Sequence, residues 1–348
     1  MKNSENHIRT ALKAQIMNLS KGALSASAFN DLVLAVFHYQ YKYNAFYRQY
    51  CSLIRRDVSK ILHVSDIPFL PIQFFKNQVL KTGDWQEETV FTSSGTTGVT
   101  TSSHYVRDIE FYKTIARNGF TSFYGSIENY CVLGLLPSYL ERTGSSLVVM
   151  TADFIQQSRY PQSGFFLDDL KKLYAILCEN KEKEIPTLLI GVTFALLDVV
   201  EKYKIDFPEL IVMETGGMKG RRKEMIRAEL HDILMGHPDI VGKGGFNVSN
   251  IHSEYGMTEL MSQGYSLKNG VFNAISTLKI LGREINDPLS ILPQNGRLSV
   301  LNTIDLGNLD TCSFIATDDL GRIYPDDSFE ILGRLDSSDI RGCNLLVI

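Results

Sequence analysis

An α/β fold follows from three features of this 348-residue chain. Short apolar segments alternate with helix-length ones after residue 88, a glycine pair (Gly216-Gly217) closes the last of those strands, and hydrophobic residues make up 44% of the sequence against 21% charged. That composition excludes a disordered or fibrous chain. Thirty-five basic and 39 acidic residues give a formal charge of -4 with no long block of either sign, so no nucleic acid partner is expected. Cys51, Cys131, Cys178, Cys312 and Cys343 are odd in number and widely spaced, which argues against a disulfide framework and a structural zinc site.

Taken in order, residues 1–80 are expected to form a helical N-terminal region packed on the main body. Leu32, Val36 and Phe37, then Tyr43, Phe46, Tyr47 and Tyr50, recur at helical spacing, and Pro68 and Pro71 end the pattern. Residues 81–270 are expected to form the α/β core. Strands are expected at Tyr130–Leu136, Ser146–Met150, Thr187–Val192 and Leu210–Glu214, with helices near 108–118, 166–179, 194–204 and 221–235. Residues 271–335 read as a β-rich subdomain with strands at Gly296–Thr303 and Cys312–Thr317, and residues 336–348 as a short C-terminal tail. The longest apolar run, Ile185–Val200, is 16 residues interrupted by Pro186, Gly191 and Asp198, short of a bilayer span, and no signal peptide is recognisable. A cytoplasmic location is expected, with no transmembrane segment.

The strongest local feature is Thr92-Ser93-Ser94-Gly95-Thr96-Thr97-Gly98, which continues as Val99-Thr100-Thr101-Ser102-Ser103. Its glycines permit close backbone approach, and its hydroxyls and N–H groups suit phosphate oxygens, although the spacing is not that of a Walker motif. Three more motifs follow in order: Tyr255-Gly256-Met257-Thr258-Glu259, Thr317-Asp318-Asp319-Leu320-Gly321-Arg322 and Gly333-Arg334-Leu335-Asp336. Together they resemble the motifs of the adenylate-forming superfamily of acyl-CoA synthetases, luciferases and peptide-synthetase adenylation domains. Only 12 residues follow Asp336, so the small mobile C-terminal domain of that superfamily is expected to be essentially absent, leaving its large N-terminal domain with a β-rich subdomain. This end, with Glu214 to Gly220 and Arg341-Gly342-Cys343, is similar to the LuxE-type acyl-protein synthetases.

The resemblance implies activation of a fatty or other aliphatic carboxylic acid with ATP and Mg2+, then acyl transfer to an enzyme cysteine or a protein partner, such as an acyl-CoA-type reductase. Thr92 to Gly98 would hold the nucleotide phosphates, Thr258 the adenylate phosphate, and Glu259 the metal. Glu214, Gly216 and Gly217 would lie against adenine, and Asp319 would bind ribose. Tyr255 belongs to the nucleotide site through its motif. Arg322 and Arg334 suit phosphate or ribose contacts, or else salt bridges between segments. Asp318 replaces the usual glycine and either alters the turn or points to solvent. Lys219, in a basic cluster that otherwise reads as a solvated face, is a candidate for charge stabilisation. His104 and His252 read as structural or as acting on a carboxylate or thiol, His252 having the stronger positional case. Cys343 is either a small buried hydrophobe or the acyl acceptor. Phe246, Met257, Leu260 and Met261 favour an aliphatic acid over an amino acid. Two alternatives stay open: an acyl-CoA or acyl-carrier ligase, and a nucleotide-binding partner subunit with reduced catalysis.

Overall fold

The computed structural model describes residues 2–22, 25–93, 101–137, 144–216, 225–236 and 244–335. Three helices come first: α1 (Lys2–Ser20), α2 (Ala26–Tyr43) and α3 (Ala45–Leu53). Ser25 caps α2 by accepting from the Ala28 N–H, and Asn44 caps α3 by accepting from Tyr47 N–H at 3.0 Å. The prolines then extend the chain into β1 (Leu70–Pro71), followed by the short α4 (Phe74–Asn77) and a hairpin of β2 (Thr89–Thr92) and β3 (Ser103–Val106). The core continues with α5 (Ile109–Tyr124), β4 (Cys131–Leu135), α6 (Ser146–Gln157), β5 (Gly164–Phe165), α7 (Leu170–Glu182), β6 (Thr187–Val192), α8 (Thr193–Lys202), β7 (Ile211–Thr215), α9 (Arg227–Met235) and β8 (His252–Tyr255). The remainder is β9 (Gly264–Lys268), β10 (Val271–Ala274), β11 (Leu278–Arg283), β12 (Ile291–Leu292), β13 (Leu298–Asp305), β14 (Phe314–Ile323) and β15 (Phe329–Arg334).

Apart from the β2–β3 hairpin, all these strands join one mixed sheet in the order β12-β11-β13-β14-β15-β10-β9-β8-β7-β6-β4-β5, with β1 added beside β14. From β5 to β8 the neighbours are parallel, and from β8 onward they are antiparallel. Side chains in the parallel half alternate between two apolar layers. Val132, Leu188, Ile190 and Met213 pack with α5 and α6, whereas Leu133, Leu189 and Val212 pack with α7, α8 and α9. A sheet covered on both faces needs strands apolar at nearly every position, as these are.

One expected strand is a helix. Ser146–Met150 opens α6, where Ser145 stands at the N-cap and Asp153, about two turns further on, pairs with Arg117 of α5 at 2.8 Å. A five-residue apolar run carries too little periodicity to separate a buried strand from the first turn of a buried helix. The helices expected at 108–118, 166–179 and 194–204 form as α5, α7 and α8, and α9 covers the described part of 221–235.

Candidate active site

The carboxyl ends of the parallel strands, where the sheet changes to antiparallel pairing, open into a cleft of about 1490 Å³. Open α/β sheets bind ligands at this place. Thr193 after β6, Glu214 to Gly216 at the end of β7, and Glu254 to Leu260 from β8 onward line it. Gly216 takes a left-handed φ of 64°, so the chain turns sharply off β7. Across the cleft lie Asp319 on β14 and Arg334 at the end of β15, with Thr92 and Ser93 at the neck of the β2–β3 hairpin. That neck is closed by Ser93 N–H donating to Ser102 O at 3.1 Å and Ser102 N–H donating to Ser93 Oγ at 2.9 Å.

Asp319 is fixed from two sides. Tyr255 Oη donates to Oδ2 at 2.8 Å and Arg334 Nε to Oδ1 at 3.0 Å. Each carboxylate oxygen keeps a further lone-pair site for a ligand hydroxyl. Burial pushes the Tyr255 phenol well above its usual range, reinforced by the Asp319 carboxylate, so the phenol stays a donor. Asp318 faces away and accepts both of its bonds from Gln73 Nε2, at 2.8 and 2.7 Å, consistent with the solvent-facing reading.

The Thr258–Glu259 loop is held from beneath by groups distant in sequence. His104 Nδ1 lies 3.0 Å from Thr258 O, and its Nε2 lies 3.0 Å from Thr311 Oγ1. The backbone carbonyl can only accept, so Nδ1 carries the proton and the threonine hydroxyl donates to Nε2. Burial pushes the imidazole down to about 4, and it stays neutral. Asn308 Nδ2 donates to Glu259 O at 2.8 Å, while buried Asp305 accepts from the N–H groups of Met261, Ser262 and Gly307. Both ring nitrogens of His104 are thus engaged within the protein, as its structural reading expects. Asp305 and Asn308 carried no sequence signal, because Glu259, Met261 and Ser262, which they hold, lie more than forty residues away.

Two carboxylates stand at the ends of β7 and β8. Glu254 is pushed up to about 7, chiefly by burial and then by the neighbouring Glu214, against the opposing effect of Thr215 Oγ1 donating to it at 2.5 Å. Its Oε1 lies 2.3 Å from where a Cβ on Gly256 would sit, so a side chain at that position would displace the carboxylate. Glu214 faces Arg227 Nε at 3.6 Å, and Arg227 also donates to Ile331 O at 3.1 Å. Neither Glu254 nor Arg227 was singled out from sequence, although Glu254 sits directly before Tyr255.

The cleft therefore brings together Thr92, Ser93, Glu214, Gly216, Tyr255, Thr258, Glu259, Asp319 and Arg334. Arg322 is exposed on β14 and His252 is half-buried with Nδ1 3.1 Å from Tyr124 Oη, both away from the cleft lining. Burial pushes His252 down to about 4. Ser94, Gly95, Thr96, Thr97, Gly98, Gly217, Lys219 and Cys343 lie outside the described residues. Of the apolar residues expected at the acid pocket, Met257 and Leu260 line the cleft, whereas Phe246 is buried in the α7–α9 layer and Met261 against Gly307. Tyr112, Leu147 and Met150 extend the apolar lining from α5 and α6.

This fold is that of the large domain of adenylate-forming enzymes. The open conformation of 2-hydroxyisobutyryl-CoA ligase, solved with 2-HIB-AMP and CoA, superposes with a TM-score of 0.65 at 12% identity, over 91% of this chain and 77% of that one. ATP-bound MatB from Rhodopseudomonas palustris gives 0.50 at 16% identity, over 70% of this chain and 47% of that one. The long-chain-fatty-acid-CoA ligase FadD1 of Archaeoglobus fulgidus gives 0.50 at 13% identity, over 71% and 51%. Residues 3–118, a third of the chain, match the family model for acyl-protein synthetase, LuxE. A long-chain-fatty-acid–luciferin-component ligase of Photorhabdus luminescens is 42% identical over 69 residues, which are 20% of this chain and 59% of that protein. The chain thus spans less than two thirds of that curated relative and about half of two of the three structures. No helix among the described residues is long and apolar enough to cross a membrane.

Proposed function

We propose that this chain activates an aliphatic carboxylic acid with ATP as an acyl-adenylate and passes the acyl group to a protein thiol. The observation that carries the reading is the convergence of four separated motifs on one cleft, in a chain whose first third is LuxE-type sequence. In the first step the acid's carboxylate oxygen attacks the α-phosphorus of ATP, the bond to the bridging oxygen breaks, and pyrophosphate leaves with that electron pair. The demand on the protein is orientation and charge stabilisation. Asp319, held by Tyr255 and Arg334, would accept both ribose hydroxyls, and Gly216 would let the backbone approach the base. Thr258 would donate to the adenylate phosphate, its loop kept in place by His104 and Asn308.

Among the described residues no group of three or more His, Cys, Asp or Glu side chains could hold a metal ion alone. One buried carboxylate at the cleft, Glu259, instead fits a Mg2+ completed by phosphate oxygens and water. When bound, that ion supplies neutralisation of phosphate charge. Leu147, Met150, Met257 and Leu260 offer apolar surface for an alkyl chain, each buried methylene contributing about 0.8 kcal/mol. The neighbouring ligases for long-chain fatty acids and the cytoplasmic location expected from sequence fit this reading.

In the second step a thiolate attacks the acyl carbonyl and AMP leaves, so that a thioester replaces the mixed anhydride. Cys343 follows Arg334 by nine residues, a reach of about 30 Å when extended, enough to return to the cleft. The test is intact-mass analysis after incubation with ATP, Mg2+ and tetradecanoate. The expected result is an acyl adduct on the wild-type chain, absent from C343A, with pyrophosphate released by both. Acyl-CoA accumulating at normal turnover in C343A with added coenzyme A would instead make coenzyme A the acceptor.

A further inference from the structure

The hydroxyl-rich run from Thr92 to Ser103 contains no lysine or arginine, although expelling pyrophosphate concentrates negative charge beside it. Of the described cations lining the cleft, Arg334 is engaged by Asp319, and Arg227 by Glu214 and the Ile331 carbonyl. Lys76, on α4, also lines the cleft and is exposed, and its ammonium has no ion pair or hydrogen bond among the described residues. Its backbone is nevertheless tightly placed. Leu70 and Pro71 pair with Ile315 and Ala316 of β14, and Ile72 N–H donates to Ala316 O at 2.9 Å. Gln73 holds Asp318, next to the proposed ribose-binding Asp319. Phe75 is buried with its ring 5.5 Å from that of His104, the imidazole that positions Thr258.

We infer that Lys76 is the cation that stabilises the β- and γ-phosphates of ATP and the departing pyrophosphate. The inference rests on the adenylation reading for its chemistry and on the cleft for its geometry. An ammonium with no partner among the described residues, on a long stem anchored through its neighbours to both the Asp319 strand and the Thr258 loop, is suited to meet charge that moves as the bond breaks. It was not singled out from sequence, because a lysine in Phe74-Phe75-Lys76-Asn77 has no phosphate-binding spacing and meets the cleft only through the pairing of β1 with β14.

The test is calorimetric titration of wild-type, K76A and K76R with ATP, AMP and inorganic pyrophosphate, each with Mg2+ and without any acid substrate. Removing one charge-assisted contact should weaken ATP and pyrophosphate binding by about tenfold or more in K76A, with AMP affinity within about twofold and partial recovery in K76R. A merely structural lysine would alter AMP and ATP alike. Equal losses for the two nucleotides, or undiminished ATP and pyrophosphate binding by K76A, would overturn the assignment. Since no acid is present, this outcome is independent of whether the chain proves able to activate a carboxylate.

Discussion

At the residue scale, Glu254 gives the site a measurable dependence on pH. Its carboxyl is raised from an ordinary 4.5 to about 7, so between those values the folded chain binds a proton that the unfolded chain releases. The stability it contributes is fully present below about pH 4.5 and is lost as pH rises through about 7. Glutamine at this position keeps the shape and cannot titrate. The melting temperature of E254Q relative to wild type should therefore rise progressively from pH 5 to pH 8. A difference of constant size across that range would show that Glu254 titrates normally. The same residue illustrates what a linear motif conceals: Tyr255, Thr258 and Glu259 were legible by spacing, whereas Glu254 matters because β7 places Thr215 and Glu214 beside it.

At the scale of elements, the N-terminal helices are joined to the site through the loop between β13 and β14. Gln40 on α2 donates to the carbonyls of Asn308 and Leu309 at 2.9 and 3.1 Å and accepts from Ser313 N–H at 2.9 Å. Asn44 donates to Thr311 O at 2.9 Å, and Arg9 on α1 pairs with Asp310 at 2.6 Å. The same loop supplies Asn308 and Thr311, which hold Glu259 and His104. Asn44 is therefore both helix cap and tether, and N44A should cost about 2 kcal/mol from the lost cap and the lost bond to the Thr311 carbonyl, which keeps Thr82 Oγ1 as a donor at 2.6 Å. Urea unfolding with an unchanged slope would measure it, and a loss under about 0.5 kcal/mol would contradict this role. The aromatic spacing of Leu32 to Tyr50 predicted these helices. It could not reveal that polar Gln40 and Asn44, buried within the same stretch, connect them to the active-site loop.

For the whole molecule, the sequence conveyed the α/β class because parallel strands such as Thr187–Val192 are buried throughout and apolar at nearly every position, and it conveyed half of the cleft because four motifs keep their order. It did not convey which apolar residues meet there. Phe246 is near the Tyr255 motif in sequence yet belongs to the opposite layer, while Leu147 and Met150 approach from a helix whose first turn reads as a strand. Proximity along the chain is a poor guide once a sheet has two covered faces. The joint arrangement of Asp319, Thr258, Glu259 and the apolar lining leads to one central claim, that the cleft forms an acyl-adenylate from an aliphatic acid. Carboxylate-dependent exchange of labelled pyrophosphate into ATP tests it most directly, across acetate, octanoate, tetradecanoate, benzoate and representative amino acids. The account predicts exchange that requires both Mg2+ and an acid and is fastest with octanoate or tetradecanoate. ATP binding with no exchange for any acid would contradict it and would favour a nucleotide-binding subunit.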